Sequence, residues 1–597
     1  MKDAGIEAKR ETAPQTQNLI ATDYLTASLG NFEEPVRATL AESARANVIG
    51  RIWNKDAALW KQEPAHQKII VNSLGWLTVA GQMLAVADEL SRFGAEVRAS
   101  ADFDHAMVCG MGGSSLCPEV LRQTFGKQAG FPELLVLDST DPDAINNFRK
   151  QLDPGRCLFV VASKSGTTTE PIAFHRYWYN EVAKVSSQPG QSFITITDPG
   201  SQMADTAAAE HFRRIFLNQP DIGGRYSALS YFGMVPAALM GLDIEKLLRG
   251  AETMAAACAE GVEVNANPGA LLGAVMSECA LAGRDKLTIV TDQKLSALGL
   301  WIEQLIAEST GKEGQGIVPV VGEPLGEAST YGSDRLFISV SVGAPDSETK
   351  SKLDALEAAG HPVVYRRLAD VHELCAEFFL WEMATAFAGW RMAINPFDQP
   401  NVQESKDATR ALLEEFIRDG KSPASDPVAN DGTLTVYGTE ASRGGSVTDV
   451  LAAHLARIKP HDYVALLAYV EETPETEAAI QAIRLSLRDM TGCATTTGYG
   501  PRFLHSTGQL HKGGPDSGVF IQITAPDTVD LEVPGAPYTF SILKDAQAQG
   551  DFQSLLSHGR RAIRVDLGAD VVVGLAKLQA LIDGIVAAND GNPEFNL

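Results

Sequence analysis

The sequence lacks any pattern that would hold a metal or a disulfide framework. Its seven cysteines (Cys109, Cys117, Cys157, Cys258, Cys279, Cys375 and Cys493) are scattered, with no CxxC pair and no metal-ligand spacing. Most of these thiols lie in apolar runs such as Ala106-Met-Val-Cys-Gly, as small buried hydrophobes do, and an odd count without a framework fits a reducing compartment. Positive charge is also scarce. The 50 lysines and arginines face 75 aspartates and glutamates, a net charge of −25, which argues against a nucleic-acid or anionic-membrane partner. A small anion remains an acceptable ligand, because local cations and amide dipoles outweigh distant charge at short range. Apolar runs of membrane-spanning length are not expected, and Met1–Thr16 is polar with charges of both signs, unlike a secretory signal. A cytoplasmic protein is expected.

At 597 residues the chain exceeds one hydrophobic core, and about three or four domains are expected. Residues 1–17 read as a flexible tail, and 18–100 as a helical lead-in packed on the first sheet. Strand-like runs at Ala106–Gly110, Leu134–Leu137, Cys157–Ala162 and Phe193–Thr197 alternate with helical segments, the pattern of a doubly wound parallel sheet over 101–240. A second such unit spans 241–420, with strands at Lys286–Thr291, Arg335–Val342 and Pro362–Arg367. After the polar linker Asp419–Gly432, an additional α/β region covers 430–570, and 571–597 reads as a C-terminal amphipathic helix. The expected fold class is α/β, with two doubly wound parallel sheets, flanking helices and a third C-terminal α/β region. Sheets of similar style suggest an old duplication.

Chemistry concentrates at the end of one strand. Leu158-Phe-Val-Val-Ala-Ser-Lys-Ser-Gly-Thr-Thr-Thr-Glu170 passes from an apolar run into hydroxyls, a lysine and a glycine, then into a helix. Hydroxyls, backbone N–H groups and a helix N-terminus at a strand's carboxyl end make an anion cradle. Gly110-Met-Gly-Gly-Ser-Ser115 occupies a comparable strand-to-helix turn. Its spacing is wrong for a dinucleotide fingerprint, so it reads as a second wall of the same cradle.

Four further segments resemble the sugar isomerase fold family and, within it, the phosphoglucose isomerase family. They are Asp221-Ile-Gly-Gly-Arg-Tyr-Ser227, Glu308-Ser-Thr-Gly-Lys312, Val321-Gly-Glu-Pro324 and Asn395-Pro-Phe-Asp-Gln-Pro-Asn-Val-Gln-Glu-Ser-Lys406. They lie in family order between about residues 105 and 410. The resemblance implies reversible conversion of glucose 6-phosphate and fructose 6-phosphate through an enediolate, without cofactor or metal. Another phosphosugar such as mannose 6-phosphate, or a non-catalytic sugar-phosphate sensor, are the alternatives. It implies a phosphate held by Gly113, Ser114, Ser163, Lys164, Ser165, Thr167 and Thr168. It gives Arg225 to the enediolate, Lys406 to a ring oxygen or hydroxyl, and Gln399 to substrate contact. The proton-shuttling base is expected at Glu323, with Glu327 as its rival. Family members are usually dimers, so a homodimer or a monomer is expected, with a small phosphosugar as ligand.

The sequence also departs from the family. The stretch after Gly322-Glu-Pro324 is Leu325-Gly-Glu-Ala-Ser-Thr-Tyr, and Asn401-Val-Gln403 stands where the family commonly has Gly-Val-Glu. The ring-opening histidine has four candidates: His361, His372, His505 and His511. Phe503-Leu-His-Ser-Thr-Gly-Gln-Leu-His-Lys-Gly-Gly514 resembles a loop that some bacterial members carry near their catalytic glutamate, yet here it follows the lysine segment. Residues 430–570 are therefore expected to complete the site through His505 or His511. This layout resembles the isomerase half of bacterial transaldolase–phosphoglucose isomerase fusions. About a hundred mainly helical residues precede the first sheet here, and a transaldolase activity, which needs a barrel of about 250 residues, is not expected.

Overall fold

The computed structural model describes residues 19–419, 426–439 and 445–589. The tail 1–17, residues 420–425 of the linker and the last residues of the 571–597 segment lie outside the described residues.

The first sheet is wholly parallel. Its order is Glu133–Leu137, His105–Gly110, Cys157–Ala162, Phe193–Thr197 and Arg214–Leu217. All six residues of Cys157–Ala162 are buried, as its unbroken apolar run demands of a strand covered on both faces. Each such Val or Phe contributes about 1.5–3 kcal/mol by leaving water. In chain order the strands run 2-1-3-4-5, so the order reverses between His105–Gly110 and Cys157–Ala162. The two hydroxyl- and glycine-rich turns leave from those two strands and face each other across the switch point, where open α/β sheets form a crevice.

The second sheet runs Val363–Leu368, Arg335–Val342, Lys286–Thr291 and Val318–Val320, all parallel. Its edge is extended by an antiparallel hairpin, Leu19–Ala21 and Leu25–Ser28. The lead-in therefore does not begin as helix on the first sheet. Its first described residues add strands to the second, and five helices between Glu33 and Ser100 follow. The third sheet runs Arg561–Asp566, Gly518–Thr524, Tyr463–Tyr469 and Ala494–Tyr499, again with a short antiparallel hairpin, Ala429–Asn430 and Thr435–Tyr437, at its edge. All three sheets share the chain order 2-1-3-4 for their parallel strands.

The expectation that no apolar run reaches membrane-spanning length is corrected by Val571–Ala588, which is long and apolar enough by length and composition. Leu575, Leu578, Ile582 and Ile585 seat one face of it in the third sheet's core, and its outer face owes its hydropathy to Val572, Val573 and alanines.

Candidate active site

A cavity of about 290 Å³ opens at the first sheet's switch point, lined by Gly113, Ser114, Ser163, Lys164, Ser165, Thr168, Arg225, Glu308, Gln399, Lys406 and His505 among others. One wall is the hydroxyl loop. Gly166, at φ +68°, turns the chain so that the loop folds back on itself. The Ser163 hydroxyl donates to Thr168 Oγ1 at 3.3 Å, and Ser165 and Thr167 hydroxyls lie 3.0 Å apart. The helix Thr169–Ala183 starts there with no side-chain cap; Pro171 has no N–H and the Glu170 N–H meets its own carboxylate, which leaves the Thr169 amide at the loop. Lys164 turns outward to Asp198 and to the Pro220 carbonyl at 2.9 Å, so it tethers the loop by its side chain.

The opposite wall is the Gly110–Ser115 turn. A methyl on Gly113 would stand 2.0 Å from the Gly224 carbonyl oxygen. Two glycine turns from separate motifs thus meet backbone to backbone, which only glycine permits. That contact sets Arg225 beside the cavity.

Arg225 is buried, and four of its five N–H groups are engaged. Its Nε donates to Ser309 Oγ at 2.7 Å, Nη1 to Gln399 Oε1 at 2.9 Å, and Nη2 to the Pro396 and Asp398 carbonyls at 2.7 and 3.0 Å. Glu308 Oε2 lies 3.6 Å from Nη1 and accepts from Gln304 Nε2 at 3.3 Å. Both residues come from the helix Leu298–Thr310, one turn apart, so they share a face toward the cavity. Lys312, just beyond that helix, clamps the Asn395–Asp398 loop through two carbonyls and the Asp398 carboxylate. Burial, and then the neighbouring Arg225, push its ammonium down to about 8 against the pull of Asp398.

The third region closes the site. The turn Arg502–His505 brings His505 to the cavity, where its Nε2 pairs with Glu170 Oε1 at 3.0 Å and its carbonyl accepts from Gln304 Nε2 at 2.8 Å. Burial would push the Glu170 carboxyl up, but His505, a backbone N–H and Lys406 hold it below the usual range. Gln509 ties this loop to two other motifs, donating to the Gly311 carbonyl and accepting from Asn401 N–H, each at 2.9 Å. Asn401 opens the helix Pro400–Asp419, which carries Lys406. A second cavity of about 330 Å³ adjoins the first, sharing Thr168, Val402, Lys406 and His505 and adding Thr167, Glu170 and Arg410.

Two expected catalytic residues lie elsewhere. Glu323 is sealed in an ion pair with Arg335, at 3.2 and 3.4 Å, and accepts from Thr495 at 3.0 Å. Burial is overcome by Arg335, Arg484 and Arg488, which hold its carboxyl low, so it is a structural anion between the second and third sheets. Glu327 is exposed and does not line the cavity. His511 is buried against Tyr463, Phe503 and Phe520, and burial holds its ring well below the usual histidine range, as a neutral core residue. His361 packs on Phe337 beside Arg284, and His372 pairs with Asp370. Two carboxylates not singled out from the sequence stand at the cavities instead, Glu308 at the first and Glu170 at the second. Both occur within quoted segments, Glu308 opening its motif and Glu170 ending the hydroxyl loop. Among the described residues, one carboxylate trio with metal-like spacing, Asp141, Asp143 and Asp527, lies outside the cavity, and the Lys544 ammonium bonds two of its members.

Residues 69–326 match the family profile of phosphoglucose isomerase. A probable glucose-6-phosphate isomerase of Methanococcus maripaludis is 26% identical over 389 residues, covering 58% of this chain and 86% of its own. The glucose-6-phosphate isomerase of Rubrobacter xylanophilus is 29% identical over 380 residues, 55% of this chain and 85% of its own. The crystal structure of a glucose-6-phosphate isomerase from Chlamydia trachomatis shares the fold with a TM-score of 0.55 at 19% identity, covering 67% of this chain and 90% of that one. The switch-point cavity takes most of its lining, and the glycine–arginine turn, from this region, which is similar to the phosphoglucose isomerase family.

Proposed function

We infer that the chain interconverts glucose 6-phosphate and fructose 6-phosphate through an enediolate. The hydroxyl loop, with the Thr169 amide at the helix start, takes the phosphate. The His505–Glu170 pair, with Lys406 beside it, moves a proton at the sugar's ring oxygen and opens the ring. Glu308 removes the proton from C2 of the aldose, or C1 of the ketose, and returns it to the neighbouring carbon. Arg225 faces the oxygen that gains charge. Its remaining N–H groups are all engaged, so it needs no rearrangement to do so.

One observation carries this reading: Glu308 lines the cavity, and its carboxylate is held only by a 3.6 Å contact to Arg225 and a 3.3 Å bond from Gln304. Asp198, the other carboxylate lining the cavity, is bound to Lys164 beside the hydroxyl loop. The direct test is incubation with fructose 6-phosphate, with glucose 6-phosphate formation coupled to a dehydrogenase; mannose 6-phosphate in a parallel arm measures strictness. Binding without turnover would make the chain a sugar-phosphate sensor. The reading also implies a cytoplasmic enzyme without nucleic-acid or membrane partner. Because one chain supplies all these groups, a monomer suffices, and size-exclusion fractions assayed for turnover test it against a homodimer.

A further inference from the structure

Behind His505 lies a chain of hydrogen bonds that the reaction scheme above leaves unused. Glu170 Oε1 lies 3.0 Å from His505 Nε2 and accepts from Gln547 Nε2 at 2.7 Å. The Gln547 amide is held at its other end by the Thr140 hydroxyl, which donates to Oε1 at 2.7 Å. Gln547 is 2% exposed and Thr140 fully buried, so water does not compete for either. Reversing the amide would set two acceptor oxygens 2.7 Å apart, which is tolerable only if Glu170 carried a proton there. With the amide oriented as it is, Oε1 of Glu170 is an acceptor, and the proton between it and His505 sits on the ring's Nε2.

The two partners come from different sheets. Thr140 follows the first sheet's edge strand Glu133–Leu137, and Gln547 lies on the third region's helix Phe540–Ser557. One turn earlier on that helix, Lys544 bonds Asp141, the neighbour of Thr140, at 3.1 Å. The pair of contacts, Lys544 with Asp141 and Gln547 with Thr140, fixes the helix against the turn.

We propose that Thr140 and Gln547 are positioning residues that set the tautomer of His505, keeping its proton on Nε2 and leaving Nδ1 to exchange a proton with the sugar's ring oxygen. This rests on the isomerase reading of the site. In that tautomer Nδ1 accepts the proton of the anomeric hydroxyl, Glu170 steadies the imidazolium that forms, and the same proton passes to the ring oxygen as its bond to the anomeric carbon breaks.

The test is the ¹⁵N spectrum of histidine-labelled protein, with the His505 signals assigned by difference from His505→Asn. The wild type should show the Nε2–H form. Gln547→Glu puts a second carboxyl beside Glu170, and the proton the two then share makes Glu170 a donor in part. The expected result is a ring shifted toward the Nδ1–H form, with kcat on the cyclic sugar lowered about tenfold and KM within about twofold. Thr140→Val preserves shape, frees the amide to rotate, and should give both tautomers and a severalfold loss of kcat. Retention of a pure Nε2–H ring and of full turnover in both variants would overturn the proposal. Undiminished turnover in His505→Asn would instead sink the ring-opening role of His505, while the tautomer readings in the two variants would still decide the question of Thr140 and Gln547.

Discussion

The first and third sheets share a strand order but not the use of their switch-point crevices. In the first, the turns after His105–Gly110 and Cys157–Ala162 carry glycine and hydroxyls and leave a cavity with free donors. In the third, the turns after Tyr463–Tyr469 and Gly518–Thr524 carry Glu471, Glu472 and Asp527. Thr473 caps the next helix with its own side chain, so the amides that would hold an anion are already satisfied. Lys544 lines the crevice and binds Asp527 together with Asp141 of the first unit. Carboxylates at this point repel a phosphate and recruit a lysine, so the third crevice became a docking joint. Identical topology therefore decides where a site can be, and the side chains of two turns decide whether there is one.

Breaking each crevice should give opposite signatures. The largest effect is expected from Glu308→Gln in the first, a loss of about 10³ in kcat with the melting temperature unchanged, because the base goes while the packing stays. The control is Glu323→Gln, which should keep turnover per folded molecule and lower stability in a urea titration, since it leaves Arg335 facing a neutral group. In the third crevice, Lys544→Met should cost about 3 kcal/mol of stability, because two buried carboxylates lose their cation. Its turnover per folded molecule should stay above about one fifth of the wild type, as Lys544 does not line the cavity. A drop of 10³ there would erase the contrast between the crevices.

The smallest effect concerns the seam between them. Glu303 shares a helix with Glu308 but is buried beside the third region's Arg484 and Arg502, and burial pushes its carboxyl up to about 8. As pH rises, the unfolded chain loses this proton first, so the stability carried by the neutral form is full below about pH 4.5 and is lost through about pH 8. Glu303→Gln stays neutral throughout. It should match the wild type near pH 4 and exceed it by about 2 kcal/mol near pH 8, read from melts across that range. Equal melts at both ends would show that the arginines, not burial, govern the group.

What the sequence made legible follows the same divide. The hydroxyl loop stood out because glycine and polar side chains interrupt an apolar run there, whereas Arg225 and Lys406 were reached through the family resemblance of their segments. Glu308 was hidden because it is a buried residue in the last turn of an apolar helix, where it resembles an ordinary helix end. Glu323 drew attention through its Gly-Glu-Pro context, but the arginines that claim it are 12 and more residues away, and such pairings have no local signal. The hairpin Leu19–Ala21 and Leu25–Ser28 escaped notice for the same reason: strands of three and four residues are specified by Val363–Leu368, far along the chain. His505 and His511 share one motif, and periodicity could not separate them. Only the fold shows one at the cavity and the other in the core.

The contact between Gly113 and Gly224 makes the cavity a length gauge. The turn proposed to help seat the phosphate and the turn that carries Arg225 touch through bare backbone, with no side chain between them to flex. The span from anchor to reacting carbons is therefore fixed by the main chain. A pentose 5-phosphate, one carbon short, should still bind and compete, yet turn over far more slowly than a hexose 6-phosphate, because its reacting carbons stop short of Glu308. Comparison of its inhibition constant with its kcat checks this: equal kcat for both sugars would mean that the gauge yields.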